Sequence, residues 1–460
     1  MAERSHTRRV ALRAAITFAT LSLAACTQPR HRAPARPPHE RPNIVFIMVD
    51  DLGAECVGCY GGQSYNTPNL DKLAQSGIRF DNAYCTPLCT PTRVEVMTGQ
   101  YPVHNGWPGG IWNKPRERQF LDPSTFTFAR LLKNAGYATA VAGKWQLARF
   151  EDRPQHPRNL GFDQHCLWTW TYTGPAPEYT FTEGKRPGRY WNPGLWVNGR
   201  IMPDTKDRFG PDICTDFLLE FIENHANRPF FAYYPMLLTH SPFVAAPGTE
   251  DRLADMSKQE RFVTMVEYMD TLVGRIVTRL EQLGLRENTL LIVTGDNGTD
   301  HRITSDIDGR RLQGGKATMT DAGTRVPFIV HWPGTAAPRR VINDLVDFTD
   351  ILPTFAEVAG ARVPEQHRLD GKSLLPRIQG QPYEPRQWVL CQKGGKWFLR
   401  THDWRLHENG DLYRMRAHYD PEPADPNENP DATRAKTELL AVAESLGLEC
   451  TGSAAPKASE

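Results

Sequence analysis

The sequence predicts a doubly wound α/β fold, a mostly parallel sheet flanked by helices, followed by a smaller C-terminal antiparallel sheet with a helix. Three observations predict it. Strand-length apolar runs recur between residues 42 and 380, most of them end abruptly in polar residues capable of chemistry, and helix-period segments lie between them. Runs apolar on both faces suit buried parallel strands, and in open α/β sheets ligands bind beyond the carboxyl ends of the strands.

Taken in order, the run 43–49 ends in Asp50-Asp51, the run 138–142 in Gly143-Lys144, and the run 229–238 in Thr239-His240. The run 289–294 ends in Gly295-Asp296-Asn297-Gly298. The run 326–332 differs, because its polar neighbours, Gly315-Lys316, precede it. Thr67-Pro68 opens a short helix that Gly77 closes, and 127–136 reads as another. The clearest helix is 257–284, where Ser257 and Glu260 form a capping box and Phe262, Met265, Met269, Val273, Ile276, Leu280 and Leu283 recur at helical spacing. Beyond Gly380 the pattern changes. Short strands are expected at 388–391, 397–400 and 404–407, a loop at 420–430, a helix at 433–446, and a frayed end after Cys450.

The first 26 residues read as an export segment: Arg8, Arg9 and Arg13 precede an apolar stretch that ends in Leu23-Ala24-Ala25-Cys26. Small residues directly before Cys26 resemble a lipobox, so a membrane anchor through lipidated Cys26 is expected, with the protein exported to the periplasm or outer membrane of a bacterium. Arg8-Arg9 also resembles a twin-arginine signal, a weaker match. The division is 1–26 signal peptide, 27–41 Pro- and Arg-rich linker, 42–380 catalytic α/β domain and 381–460 C-terminal subdomain. A formal charge of +1 gives no global field for nucleic acid. The remaining eight cysteines have irregular spacings, so no disulfide framework is read, and Cys56-x-x-Cys59 lacks the second pair a zinc site needs.

Chemistry concentrates at the strand ends. Adjacent carboxylates at Asp50 and Asp51 are costly to crowd unless positive charge lies between them. Asp296-Asn297 adds one more carboxylate and an amide oxygen, and oxygen donors of this kind suit a hard divalent cation such as calcium or magnesium. In Cys89-Thr90-Pro91-Thr92-Arg93, Thr90 as cap and Pro91 at the first helical position would leave Cys89 just outside a helix amino terminus, with Arg93 about one turn in.

In this setting Cys89-Thr90-Pro91-Thr92-Arg93 resembles the maturation signature of type I sulfatases, in the alkaline phosphatase superfamily. The similarity extends through Thr67-Pro68-Asn69-Leu70-Asp71, Gly314-Gly315-Lys316, Thr324-Arg325-Val326-Pro327 and Asp370-Gly371-Lys372-Ser373-Leu374-Leu375. The resemblance implies that a formylglycine-generating enzyme oxidises Cys89 to formylglycine, whose hydrate is the nucleophile. It makes Asp50, Asp51, Asp296, Asn297 and the matured Cys89 oxygen the ligands of calcium, with magnesium as second choice. Arg93, Lys144, His240 and Lys316 would line the sulfate pocket. One hydroxyl, aided by Asp296 as base, would attack sulfur, His240 or Lys316 would protonate the departing alcohol, and the second hydroxyl would then expel sulfate.

This chain departs from that pattern at two places. Lys144-Trp145-Gln146 stands where the family usually has Lys-x-His, and glutamine takes no proton at neutral pH, so Gln146 is expected to hold geometry while His104, His301 or water serves as base, or else sulfate release is slow. Gln100 stands where an Arg commonly follows Thr-Gly. Trp168, Trp170, Tyr172, Tyr179, Phe181, Tyr190, Trp191 and Trp196 either stack on sugar rings, making a sulfated carbohydrate the substrate, or pin their loop to the core. The rival readings are a phosphatase or phosphonate hydrolase on the same fold, and a weakly active lipoprotein that binds sulfated polymers.

Overall fold

The computed structural model describes residues 41–451 except 173, 178–179 and 183–185. The expected export segment, Cys26, the expected linker up to residue 40, Tyr179 and the residues after Thr451 lie outside the described residues, as do the surroundings of the Phe181 side chain.

Ten strands form the main sheet: β1 (Asn43–Val49), β2 (Ile78–Tyr84), β3 (Ala138–Gly143), β4 (Gln164–Trp168), β5 (Leu195–Val197), β6 (Arg200–Ile201), β7 (Phe230–Pro235), β8 (Thr289–Gly295), β9 (Phe328–His331) and β10 (Arg340–Asp347). Their order is β10-β2-β9-β8-β1-β7-β3-β4-β5-β6. The centre, β8-β1-β7-β3-β4, is parallel throughout. The strand β9 runs antiparallel, pairing Phe328 with Thr294. That reversal accounts for the odd run in the sequence: the amino end of β9 meets the carboxyl end of β8, so Lys316, which precedes the strand, reaches the same edge as Asp296, which follows one.

Alternation along β1 sends side chains into two separate cores. Ile44, Phe46 and Met48 pack on one face with Phe128 and Leu132 of α3 (Phe128–Asn134). Val45, Ile47 and Val49 pack on the other with Leu70 of α1 (Pro68–Ser76), and with helices α4 (Gly210–Asn224) and α5 (Lys258–Gln282). This is the doubly wound arrangement expected from strands apolar on both faces. Ser257 caps α5, accepting from Glu260 N at 3.2 Å while Glu260 Oε2 accepts from Ser257 N at 2.8 Å, the reciprocal pair read from the sequence. Thr127 caps α3 by accepting from Arg130 N.

The helix α2 (Cys89–Thr98) corrects the expected start. Leu88, extended at φ −139° and ψ 146°, is the cap residue, so Cys89 is the first helical residue and not a position outside the helix. Thr90 does not cap, because its hydroxyl accepts from Ile111 N at 3.3 Å.

Five antiparallel strands in sequential order form the C-terminal sheet: β11 (Val389–Lys393), β12 (Lys396–Arg400), β13 (Trp404–His407), β14 (Leu412–Ala417) and β15 (Asp420–Pro423). Asp420–Pro423 is therefore an edge strand, where a loop was expected; Pro421 and Pro423 are tolerated because an edge needs no second ladder of N–H donors. The last helix, Pro430–Ser445, starts earlier than expected because Asn429 Oδ1 accepts from Asp431 N and Ala432 N. Asp321 ties this sheet to the approach to β9, accepting from Arg400 NH1 at 2.6 Å and from Tyr419 N at 3.1 Å. All eight described cysteines are free thiols.

Candidate active site

Four neighbouring strands, β8, β1, β7 and β3, deliver Asp296-Asn297, Asp50-Asp51, His240 and Lys144 to one edge of the sheet. Two close backbone approaches require glycine there. A Cβ on Gly143 would lie 2.0 Å from Pro235 O, at a φ of +121°, and one on Gly295 would lie 2.1 Å from Leu52 O. Lys144 N then donates to Pro235 O at 2.7 Å, which fixes the lysine backbone against β7.

Asp50, Asp51, Asp296 and Asn297 are fully buried. Lys144 Nζ donates to both oxygens of Asp50, at 2.7 and 2.8 Å, and Lys316 Nζ donates to Asp51 Oδ2 at 2.7 Å. Arg93 NH2 donates to Asp296 Oδ2 at 2.7 Å and its NH1 to Lys144 O at 2.9 Å. Asp296 Oδ1 accepts from Asp51 N at 3.0 Å. Cys89 Sγ lies 3.4 Å from Asp50 Oδ1 and 3.9 Å from Asp51 Oδ1. Ligand atoms of Asp50, Asp51, Cys89 and His240 all fall within 4.8 Å of one another, a grouping able to hold a metal ion. Asn297 Nδ2 donates to Asp51 Oδ1 at 2.8 Å, and its buried Oδ1 has no hydrogen-bond partner.

The charges organise one another. Burial alone would raise the Asp50 carboxyl, yet Lys144, His240 and Arg93 hold it well below the usual carboxylate range. Burial likewise opposes ionisation of Asp51, and Lys316 reverses the balance. Asp296 goes the other way, pushed up to about 6 by burial and by Asp50. Burial and the Asp296 charge push the Cys89 thiol up to about 12, so the unmodified side chain is a neutral thiol and not a thiolate nucleophile. Burial, with Arg189 beside it, presses His240 down to about 3. His240 Nδ1 donates to Ser241 O at 2.6 Å, which leaves the lone pair of the neutral ring on Nε2, 3.9 Å from Asp51 Oδ2.

Thus the structure brings together Cys89, Arg93, Lys144, His240, Lys316, Asp50, Asp51, Asp296 and Asn297. Gln146 is buried at φ +53°, with an Oε1 that has no hydrogen-bond partner. His104 pairs with Asp370 at 2.7 Å, and His301 is exposed beside Asp300. Among the described residues no hydrogen bond or ion pair joins either histidine to the carboxylate cluster, so the geometry gives no support to them as the base. Sequence reasoning missed Arg189, whose NH1 is 3.6 Å from Asp50 Oδ2. The only signal was a cation within an aromatic stretch.

That stretch is pinned to the body of the protein. Tyr190 OH donates to Leu237 O at 2.8 Å and to His240 O, Trp191 Nε1 donates to Ala245 O at 3.1 Å, and Trp196 stacks on Phe150 with centroids 5.8 Å apart. These rings hold the loop, so sugar stacking finds no support in them.

A family model described as Sulfatase matches residues 42–361, spanning every residue of the cluster. The chain belongs to the sulfatase family. Arylsulfatase A of Homo sapiens is 34% identical over 409 residues, covering 82% of this chain and 75% of the relative. Steryl-sulfatase of Mus musculus is 31% identical over 439 residues, covering 80% and 69% respectively. The crystal structure of Ps i-CgsB has a TM-score of 0.72 at 25% identity, covering 90% of this chain and 94% of that one. It has also been solved in complex with k-i-k-neocarrahexaose. This sulfatase is accordingly a hydrolase of sulfuric esters, and its family implies a bound metal ion and a formylglycine.

Proposed function

We propose that this sulfatase cleaves sulfate esters carried by carbohydrates, with Cys89 matured to formylglycine and calcium held by Asp50, Asp51, Asp296, Asn297 and the oxygen of residue 89. One observation carries the reading: Cys89 stands 3.4 Å from Asp50, in a buried pocket that also holds Arg93, Lys144 and Lys316. Its Sγ stands in for the formylglycine oxygen. The residues fit a hard cation, because they offer crowded, fully buried carboxylates and the unpartnered Asn297 Oδ1. When bound, calcium would neutralise those carboxylates and add positive charge at the reacting centre, and formylglycine would supply a hydroxyl nucleophile.

The chain's own side chains do the rest. Arg93 orients Asp296, the group that would accept the nucleophile's proton. Lys144 and Lys316 present ammonium donors to the non-bridging sulfate oxygens. Of the two candidates for protonating the leaving alcohol, Lys316 is favoured: His240 has its Nδ1–H engaged by Ser241 O, whereas Lys316 is a cation at every working pH. Gln146 carries no titratable proton, and its unpartnered Oε1 suits a geometric role.

Carbohydrate is favoured as the carrier by the resemblance to a protein that binds a neocarrahexaose. The reading also keeps maturation by a formylglycine-generating enzyme, export, and a lipid anchor at Cys26. Among the described residues no helix is long and apolar enough to cross a membrane. Residues 42–380 would carry the reaction and 381–460 would support Lys316 through Lys393, whose Nζ donates to Ala317 O at 2.6 Å.

The test compares turnover of an aryl sulfate with that of an aryl phosphate, before and after chelation. Faster cleavage of the sulfate, abolished by chelator and restored by calcium better than by magnesium, is expected. Preference for the phosphate would make the enzyme a phosphatase, and full activity in chelator would remove the ion from the reaction.

A further inference from the structure

Arg189 enters the pocket from the loop before Tyr190, and nothing in the reaction described above uses it. Its guanidinium lies over the Trp168 ring, 4.1 Å from the centroid, so the face of the cation is occupied and its edge is presented to the site. Its side chain is 10% exposed, and NH1 is 3.6 Å from Asp50 Oδ2, beyond hydrogen-bond reach. Both Nε and NH1 are buried without a hydrogen-bond partner. Asp50 gives Arg189 an ion pair at that distance but no hydrogen bond, and its charge is already shared with Lys144 and Arg93. The position is rigid, since the neighbouring Tyr190 is buried and bonds Leu237 O and His240 O, and Gly210 N donates to Tyr190 O at 2.7 Å.

Buried charged donors left without acceptors are strongly unfavourable, so an arginine held this way is built for an anion that arrives later. The arriving group must be small enough to reach the Asp50 side of the pocket and must offer acceptors to a planar fork. We propose that Arg189 is a further substrate-binding residue, donating from its guanidinium edge to the non-bridging oxygens of the sulfate group that is cleaved. This deepens the sulfatase reading and rests on it. The placement complements Lys144 and Lys316, which approach from β3 and from the segment before β9, while Arg189 approaches from the segment between β4 and β5. With Arg93, Lys144 and Lys316, Arg189 makes four fixed cations in the pocket.

Calorimetric titration of inorganic sulfate and, separately, of calcium into the full exported chain tests this, with Arg189→Met and Arg189→Lys as variants. Met keeps packing over Trp168 and removes the charge. Sulfate affinity is expected to fall roughly tenfold or more in Arg189→Met, as for loss of a hydrogen bond to a charged group, and to recover in part in Arg189→Lys. Calcium affinity is expected to stay the same or tighten, because a like charge beside Asp50 has gone. Sulfate affinity within about twofold of wild type would overturn the proposal. So would a parallel loss of calcium and sulfate binding, which would make Arg189 a positioning residue for Asp50. A deficit confined to carbohydrates bearing a second anionic group, with inorganic sulfate bound normally, would assign Arg189 to that group and overturn it too. Wild-type protein that binds calcium yet neither binds sulfate nor cleaves an aryl sulfate would bring down the sulfatase reading itself.

Discussion

Replacing His156 with glutamine is expected to flatten the acid limb of the stability profile, because the fold holds this histidine only in its neutral form. The ring is 1% exposed. Trp145 Nε1 donates to its Nδ1 at 3.0 Å, and its own Nε2 donates to Leu121 O at 2.7 Å. A second proton would have to sit on Nδ1, facing the indole N–H. Burial, reinforced by Arg153, lowers its pKa from 6.5 to about 4. In the unfolded chain the ring protonates first as pH falls, so stability is fully present above pH 6.5 and is lost as pH drops through that window toward about 4. At about 1.4 kcal/mol for each tenfold change in proton affinity, the gap amounts to about 3 kcal/mol. Urea unfolding followed by tryptophan fluorescence at about pH 7 and about pH 4 measures it. Wild type should lose about 3 kcal/mol more than His156→Gln across that interval. Parallel profiles for the two proteins would refute the reasoning. Because Trp145 lies between Lys144 and Gln146, the same protonation should loosen that segment and lower turnover at acid pH.

Three further outcomes are expected. Asp321→Asn removes the counter-charge of buried Arg400 and Arg405 and should cost about 3–5 kcal/mol in urea unfolding, with the C-terminal sheet most affected in hydrogen exchange. Gln146→Ala should slow aryl sulfate turnover roughly tenfold or less through lost geometry; if Gln146→Ala and Gln146→His both leave turnover unchanged, Gln146 has no part in the reaction. Ser257→Ala opens the capping box of the helix Lys258–Gln282 and should lower stability by about 1 kcal/mol without changing KM.

Much of this is legible in the sequence, for a physical reason. Strands buried on both faces are continuous apolar runs, and the first polar residues after them must emerge at the sheet edge, so Asp50, Lys144, His240 and Asp296 were findable by period alone. Lys316 escaped that rule only because β9 is antiparallel, a property of pairing that no local pattern encodes. The start of α2 was misread because Thr90 and Pro91 have the local chemistry of a cap, whereas a tertiary contact from Ile111 N claims the Thr90 hydroxyl. The edge strand Asp420–Pro423 was hidden by its prolines, and Leu195–Val197 and Arg200–Ile201 are too short to show a period. Arg189 was invisible because its role depends on a loop folding back over Trp168, and no spacing in the sequence records that contact.

Mass analysis of the peptide containing Cys89, from protein purified out of its native host, tests the central claim most directly. The account predicts an aldehyde at residue 89, trapped by a hydrazine reagent in the wild type and missing from Cys89→Ala. A free thiol at that position in protein that fully hydrolyses sulfate esters would contradict it.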